Sequence, residues 1–137
     1  MSRGKNIRRL GAFVSAALIA FAARGAPAAD WSKAKKITVV TIEYAFKPAA
    51  LTFRQSIAYR LHLDNRGKEA HEFTAPDFFK AIEMRNPEVT GPDHTEIVVQ
   101  PGEKRDLYFV AKTPGSYDLR CSDHDWAGMV GKITVSP

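Results

Sequence analysis

Cys121, His124 and Met129 follow one another with the spacing C-x2-H-x4-M. A thiol, an imidazole and a thioether within nine residues make a donor set for a soft or borderline metal. These three ligand types suit copper better than any other common metal. A second histidine, His71, lies far upstream and can complete the set. The chemistry such a set offers is the movement of single electrons. Cys121 is also the only cysteine, so no internal disulfide can form. In an oxidising compartment a lone thiol is a liability unless it is buried or bound to metal.

Shared ligation restricts the backbone. Cys121 and His124 are three residues apart, at most ~11 Å of chain. Both must place a donor atom about 2 Å from one metal, so the chain must turn sharply after Cys121. Gly128 and Gly131 supply permissive backbone for the return, which brings Met129 over the site. A fourth ligand must come from another part of the fold. His71 follows the Gly67 to Ala70 linker at the mouth of a strand.

The elements that must hold these residues read as β-structure. Residues 37–43 are rich in β-branched types, and 51–53 form a short apolar run. In 57–63 the alternation puts Ile57, Tyr59, Leu61 and Leu63 on one face and Ala58, Arg60 and His62 on the other. Asp64 to Gly67 reads as a turn. Further strands are expected at 71–75, 96–100, 107–111, through Tyr117, Leu119 and Cys121, and at 130–135. Pro101-Gly102 and Pro114-Gly115 punctuate them. Short strands at regular spacing imply an antiparallel sandwich or barrel. Residues 76–93 break the rhythm with a turn or two of helix near Asp77 to Glu83, then a loop.

The N-terminus reads as an export signal. Arg3, Lys5, Arg8 and Arg9 precede an apolar stretch from Leu10 to Ala23, and Ala26 to Ala28 resembles a cleavage site. The stretch is shorter than the ~20 residues that span a bilayer. Residues 1–28 are therefore expected to be a signal peptide and 29–137 the mature domain, periplasmic and without stable membrane insertion. The formal charge of +5 is misleading, because five of the 20 basic residues lie in that leader and all 15 acidic residues lie beyond it. The mature chain is formally neutral, which argues against nucleic acid as a partner.

From Pro114 to Val135 the chain resembles the C-terminal signature of the cupredoxins, and the C-x2-H-x4-M spacing is similar to that of plastocyanin and pseudoazurin. Phe46 with Pro48, and Pro101 with Gly102, also match places where that family carries Phe-x-Pro and Pro-Gly. The resemblance covers nearly all of residues 37–136. It implies an all-β, Greek-key antiparallel β-sandwich, with the helical or loop excursion around 76–93. It further implies one type 1 copper ion, Cu(I) or Cu(II), at one end, held by His71, Cys121, His124 and Met129. Glu72 stands where many members of the family carry Asn, which changes the surroundings of the ligands. Gln55 stands where Gly is usual.

Two functions follow. The first is an exported electron carrier, a monomer that docks transiently on protein redox partners through His124 and Trp126. The alternative is copper delivery or a redox accessory of metal uptake, which the acidic Glu72, Asp123 and Asp125 favour. Enzyme activity is not expected. A multicopper oxidase needs histidines flanking the cysteine, and Arg120 and Ser122 stand there; a binuclear copper centre needs a second cysteine. Zinc hydrolysis lacks a general base at fixed spacing. His62, on a polar face, reads as a solvated residue, whereas Glu83, Met84 and His94 have the types for a second metal site.

Overall fold

The computed structural model describes Met1, Gly25 and residues 27–137. The expected signal segment therefore lies almost wholly outside the described residues. Among the described residues ten strands form: β1 Lys35–Ile42, β2 Ala45–Lys47, β3 Ala50–Arg54, β4 Ala58–Asn65, β5 His71–Thr74, β6 Ile82–Met84, β7 Glu96–Val99, β8 Lys104–Ala111, β9 Gly115–Arg120 and β10 Val130–Ser136. Among the described residues one α-helix, α1 Pro76–Lys80, sits between β5 and β6. The strands make two sheets of five, ordered β2-β1-β4-β8-β6 and β3-β10-β9-β5-β7.

Alternation decides which side chains enter the core. Tyr59, Leu61 and Leu63 of β4 point inward, as their spacing requires, and meet Phe53, Phe73, Ile97, Leu119 and Ile133 from the facing sheet. The strand extends past its expected end: Asp64 and Asn65 continue it, and both are buried. Turn-type residues are thus held in a ladder here, because β4 is paired on both sides, with β1 and with β8.

Two of the pairings are parallel, β1 with β4 and β3 with β10. The chain leaves the first sheet after β2, runs β3 along the second, and returns as β4. A strand that crosses and comes back in this way lies beside β1 in the same direction. Gly131 marks the close approach in the other parallel pair. A Cβ there would run into the carbonyl of Ala49, to which Lys132 N–H donates at 2.8 Å.

The excursion is part of the core. Pro76 occupies the first turn of α1, where its missing N–H costs nothing. The helix then inserts Phe78 and Phe79, both buried. Phe78 stacks on Phe53 at 5.6 Å and meets Phe109 edge-on at 5.4 Å. β6, which the sequence pattern did not announce, then pairs with the edge of β8. Each buried aromatic side chain of this cluster stabilises the fold by roughly 1.5–3 kcal/mol.

Candidate metal centre

The loop after β9 makes the turn that shared ligation requires. His124 N–H donates to the Cys121 carbonyl at 3.1 Å, and Met129 N–H to the His124 carbonyl at 3.3 Å. Cys121 N–H closes the loop on the Met129 carbonyl at 3.0 Å. Between them a short 3-10 turn, Asp125–Ala127, ends on Gly128, whose φ of 81° suits a residue without Cβ. Nine residues of chain are thereby folded so that Cys121, His124 and Met129 are all buried beside β5.

His71 opens β5 from the neighbouring position in the sheet. Its Nδ1 lies 4.0 Å from Cys121 Sγ, and His124 Nδ1 lies 3.3 Å from the same sulfur. The donor atoms of His71, Cys121 and His124 all fall within 4.8 Å of one another. The rings of the two histidines meet edge to face at 5.2 Å. His71, Cys121 and Met129 are sealed from solvent and His124 is nearly so.

This donor set fits a metal. Both imidazoles turn Nδ1 toward one sulfur and Nε2 away from it. Burial, reinforced by the Glu72 carboxylate, pushes the Cys121 thiol up to about 11. An uncompensated thiolate is therefore disfavoured there, and a bound cation is what compensates it. Two imidazoles and a thiolate beside a thioether are a set that one copper ion accepts in either oxidation state.

Carboxylates lie outside these donors. Glu72 Oε2 accepts the Cys121 thiol at 2.9 Å and Asp123 N–H at 3.3 Å, while Glu72 N–H points at Sγ from 3.4 Å. Glu69 Oε2 sits 2.7 Å from His124 Nε2. Glu43 Oε1 is 3.4 Å from His71 Nε2, at ion-pair distance but off the line of a hydrogen bond. Among the described residues His71 Nε2 has no hydrogen-bond partner. Backbone N–H groups of Glu69 and Lys68 donate to Glu43 and hold its carboxyl below the usual range. Tyr44 leans over His124 at 4.8 Å and bonds Glu69 Oε1 through its hydroxyl at 3.2 Å. Trp126, 76% exposed, lies 5.9 Å from Tyr44 on the outside.

Asn65 organises this cover. Its side-chain amide donates to the carbonyls of Glu69 and Val99, each at 2.8 Å, and its carbonyl accepts Gly67 N–H at 2.9 Å. The loop bearing Glu69 is thereby pinned to β7.

Sequence spacing identifies the Cys121–Met129 loop and, through resemblance, His71. Glu43, Tyr44, Asn65 and Glu69 escape it, because each reaches the site from a distant segment with no local pattern. His62 is no ligand: on the polar face of β4, its Nδ1 lies 2.7 Å from Asp106. The residues considered for a second site are each engaged elsewhere. Glu83 pairs with Lys112 at 2.9 Å, Met84 packs against the core, and His94 Nδ1 bonds the Thr90 hydroxyl at 2.5 Å.

Among the described residues, no helix is long and apolar enough to cross a membrane. The profile of the Cupredoxin-like domain family matches residues 12–135. The chain is 26% identical over 149 aligned positions to the Copper-resistant cuproprotein CopI of Pseudomonas aeruginosa, an alignment covering 82% of each. Among solved structures, auracyanin B superposes with a TM-score of 0.57 at 21% identity, over 76% of this chain and 90% of that one. The reduced auracyanin of the photosynthetic bacterium Roseiflexus castenholzii gives 0.56 at 18% identity, over 80% of this chain and 100% of that one. At these identities the structural likeness is one of fold.

Proposed function

Because the chain belongs to the cupredoxin-like domain family, we propose that it is an exported, monomeric type 1 copper protein that passes single electrons between protein partners. The observation that carries this reading is the set of three buried donors, His71, Cys121 and His124, converging within 4.8 Å. A rigid sandwich that fixes its donors in one arrangement limits atomic rearrangement as the metal changes charge.

His71, Cys121 and His124 form the equatorial set in this proposal, with Met129 as the weak axial ligand. Copper, when bound, supplies a one-electron couple between Cu(II) and Cu(I). The chain's own part is to hold each donor. The Cys121–Met129 backbone bonds fix three of them. β5, locked to β7 through His71↔Val99, fixes the fourth. Solvent is kept out by the apolar core below and by Tyr44 above. Exposed Trp126, beside half-buried Tyr44, offers an aromatic surface next to the site, suited to brief encounters with redox proteins. No hydrolytic or oxidase chemistry is assigned to the chain.

A second reading, copper handling, is favoured by one feature of the site. Glu69 caps His124 Nε2, the imidazole edge expected to serve as the electron exit. The similarity to a copper-resistance protein points the same way. One experiment separates the two: the copper-loaded protein is mixed with a one-electron redox protein or with a Cu(I)-specific chelator. An electron carrier changes oxidation state within milliseconds and keeps its metal in the presence of the chelator. Rapid surrender of copper with slow electron exchange would instead establish handling.

A further inference from the structure

Each of the three convergent donors has a carboxylate of its own. Glu72 meets Cys121 Sγ at 2.9 Å, Glu69 meets His124 Nε2 at 2.7 Å, and Glu43 stands 3.4 Å from His71 Nε2. They come from three places: β5, the loop before it, and the turn just after β1. Among the described residues none of them is paired with lysine or arginine, although exposed Asp30, Asp77, Asp118 and Glu83 all are. Among the described residues no lysine or arginine ion pair offsets the negative charge of these three carboxylates. Glu72 is only 6% exposed, whereas the Glu43 and Glu69 side chains are 28% and 49% exposed.

We propose that this ring of three carboxylates biases the site toward Cu(II) over Cu(I), setting a reduction potential below that of the same four ligands without them. The proposal rests on the copper reading above and deepens it. A fixed negative charge attracts a doubly charged ion more than a singly charged one, and the difference grows as water is excluded. Carboxylates bonded to the far side of ligand imidazoles also strengthen the imidazoles as donors. Reduction adds one electron, from a one-electron mediator, to the metal, and no bond to the chain has to break. Glu72, buried against the sulfur, carries the largest share. Glu69, half in solvent, is the most screened by salt.

The test is a spectroelectrochemical titration of the copper-loaded full chain with one-electron mediators, comparing wild type with Glu72→Gln, Glu69→Gln, Glu43→Gln and the triple variant. Every substitution should raise the midpoint potential. Glu72→Gln should lower the preference for Cu(II) about tenfold, read as a rise of about 59 mV for a one-electron couple. The rise for Glu69→Gln should be smaller and shrink with added salt. A purely structural role would lower copper occupancy or broaden the visible band without this ordered rise. Potentials that stay put or fall, with the band intact, overturn the proposal and leave the copper reading standing. A wild-type protein with no such band overturns the copper reading itself. If Glu72→Gln does not fold, the two surface variants decide: a rise in both supports the ring, and no rise in either refutes it.

Discussion

Two ends of one sandwich are equally dry and oppositely built. At one end Phe53, Tyr59, Phe78 and Phe109 pack ring against ring, with centroids 4.9 to 5.6 Å apart. At the other, Glu72, Cys121, His124 and Asn65 are buried with specific partners for their polar atoms, and His71 is buried with its Nε2 unpartnered among the described residues. β4 joins them, running from Tyr59 to Asn65. Apolar contacts are non-directional, so the aromatic end loses stability by degrees as atoms are removed. Buried polar atoms are directional and costly when unpaired, so the other end changes function at single atoms. The first end supplies stability; the second uses it to hold polar groups away from water.

The sharpest way to break this division is Phe109→Ala. Phe109 is fully buried among three aromatic rings, and the cavity should cost about 3–5 kcal/mol in chemical denaturation. The folded fraction should keep an unchanged copper spectrum. A shifted spectrum would mean that the two ends are mechanically coupled. Asn65→Ala comes next. It leaves the carbonyls of Glu69 and Val99 and the amide of Gly67 without their partner, at a cost of about 1–3 kcal/mol. Here the spectrum or potential should move as well, because the loop carrying Glu69 is released. Denaturation midpoint and potential measured on one sample check both halves.

Met129→Leu tests the comparison from the other side. In an apolar core this volume-conserving swap costs less than about 1.5 kcal/mol. At the polar end its stability cost should be as small, yet the potential should rise while copper stays bound. Loss of all copper would contradict a weak axial role. The smallest effect lies on the outer face of β4, where Arg60 and His62 meet Asp106. The Arg60 guanidinium holds the Asp106 carboxyl below its ordinary value. A lowered carboxyl stabilises the fold above its unfolded value of about 3.9, and that gain is lost as pH falls through the folded value. Acid titration of stability should show the step, under about 1 kcal/mol for so exposed a pair. Asp106→Asn should flatten it.

What the sequence makes legible follows the same division. The sandwich is readable because period-two alternation in 57–63 and turn residues such as Pro101-Gly102 act locally. Asp64 and Asn65 are misread as a turn, since local propensity cannot register pairing on both edges of β4. A turn or two of helix is legible near Asp77 to Glu83, but α1 ends at Lys80 and Ile82 and Glu83 join β6; the role of Phe78 and Phe79 as core residues is not legible, because the surrounding segment is charged. At the metal end, Cys121, His124 and Met129 are legible because a loop must bring them together. Glu69 is not, because it meets His124 from 55 positions away in the chain and nothing near it marks the contact. Glu72 stands out only against the resemblance, as an acid where Asn is usual.

The most direct test of the central claim is one optical spectrum of the protein loaded with Cu(II), recorded beside that of Cys121→Ser. Thiolate ligation by Cys121 predicts an intense visible band in the wild type and none in the variant. Copper bound to the wild type without that band, or a band that survives the loss of the thiol, would contradict the assignment of this site.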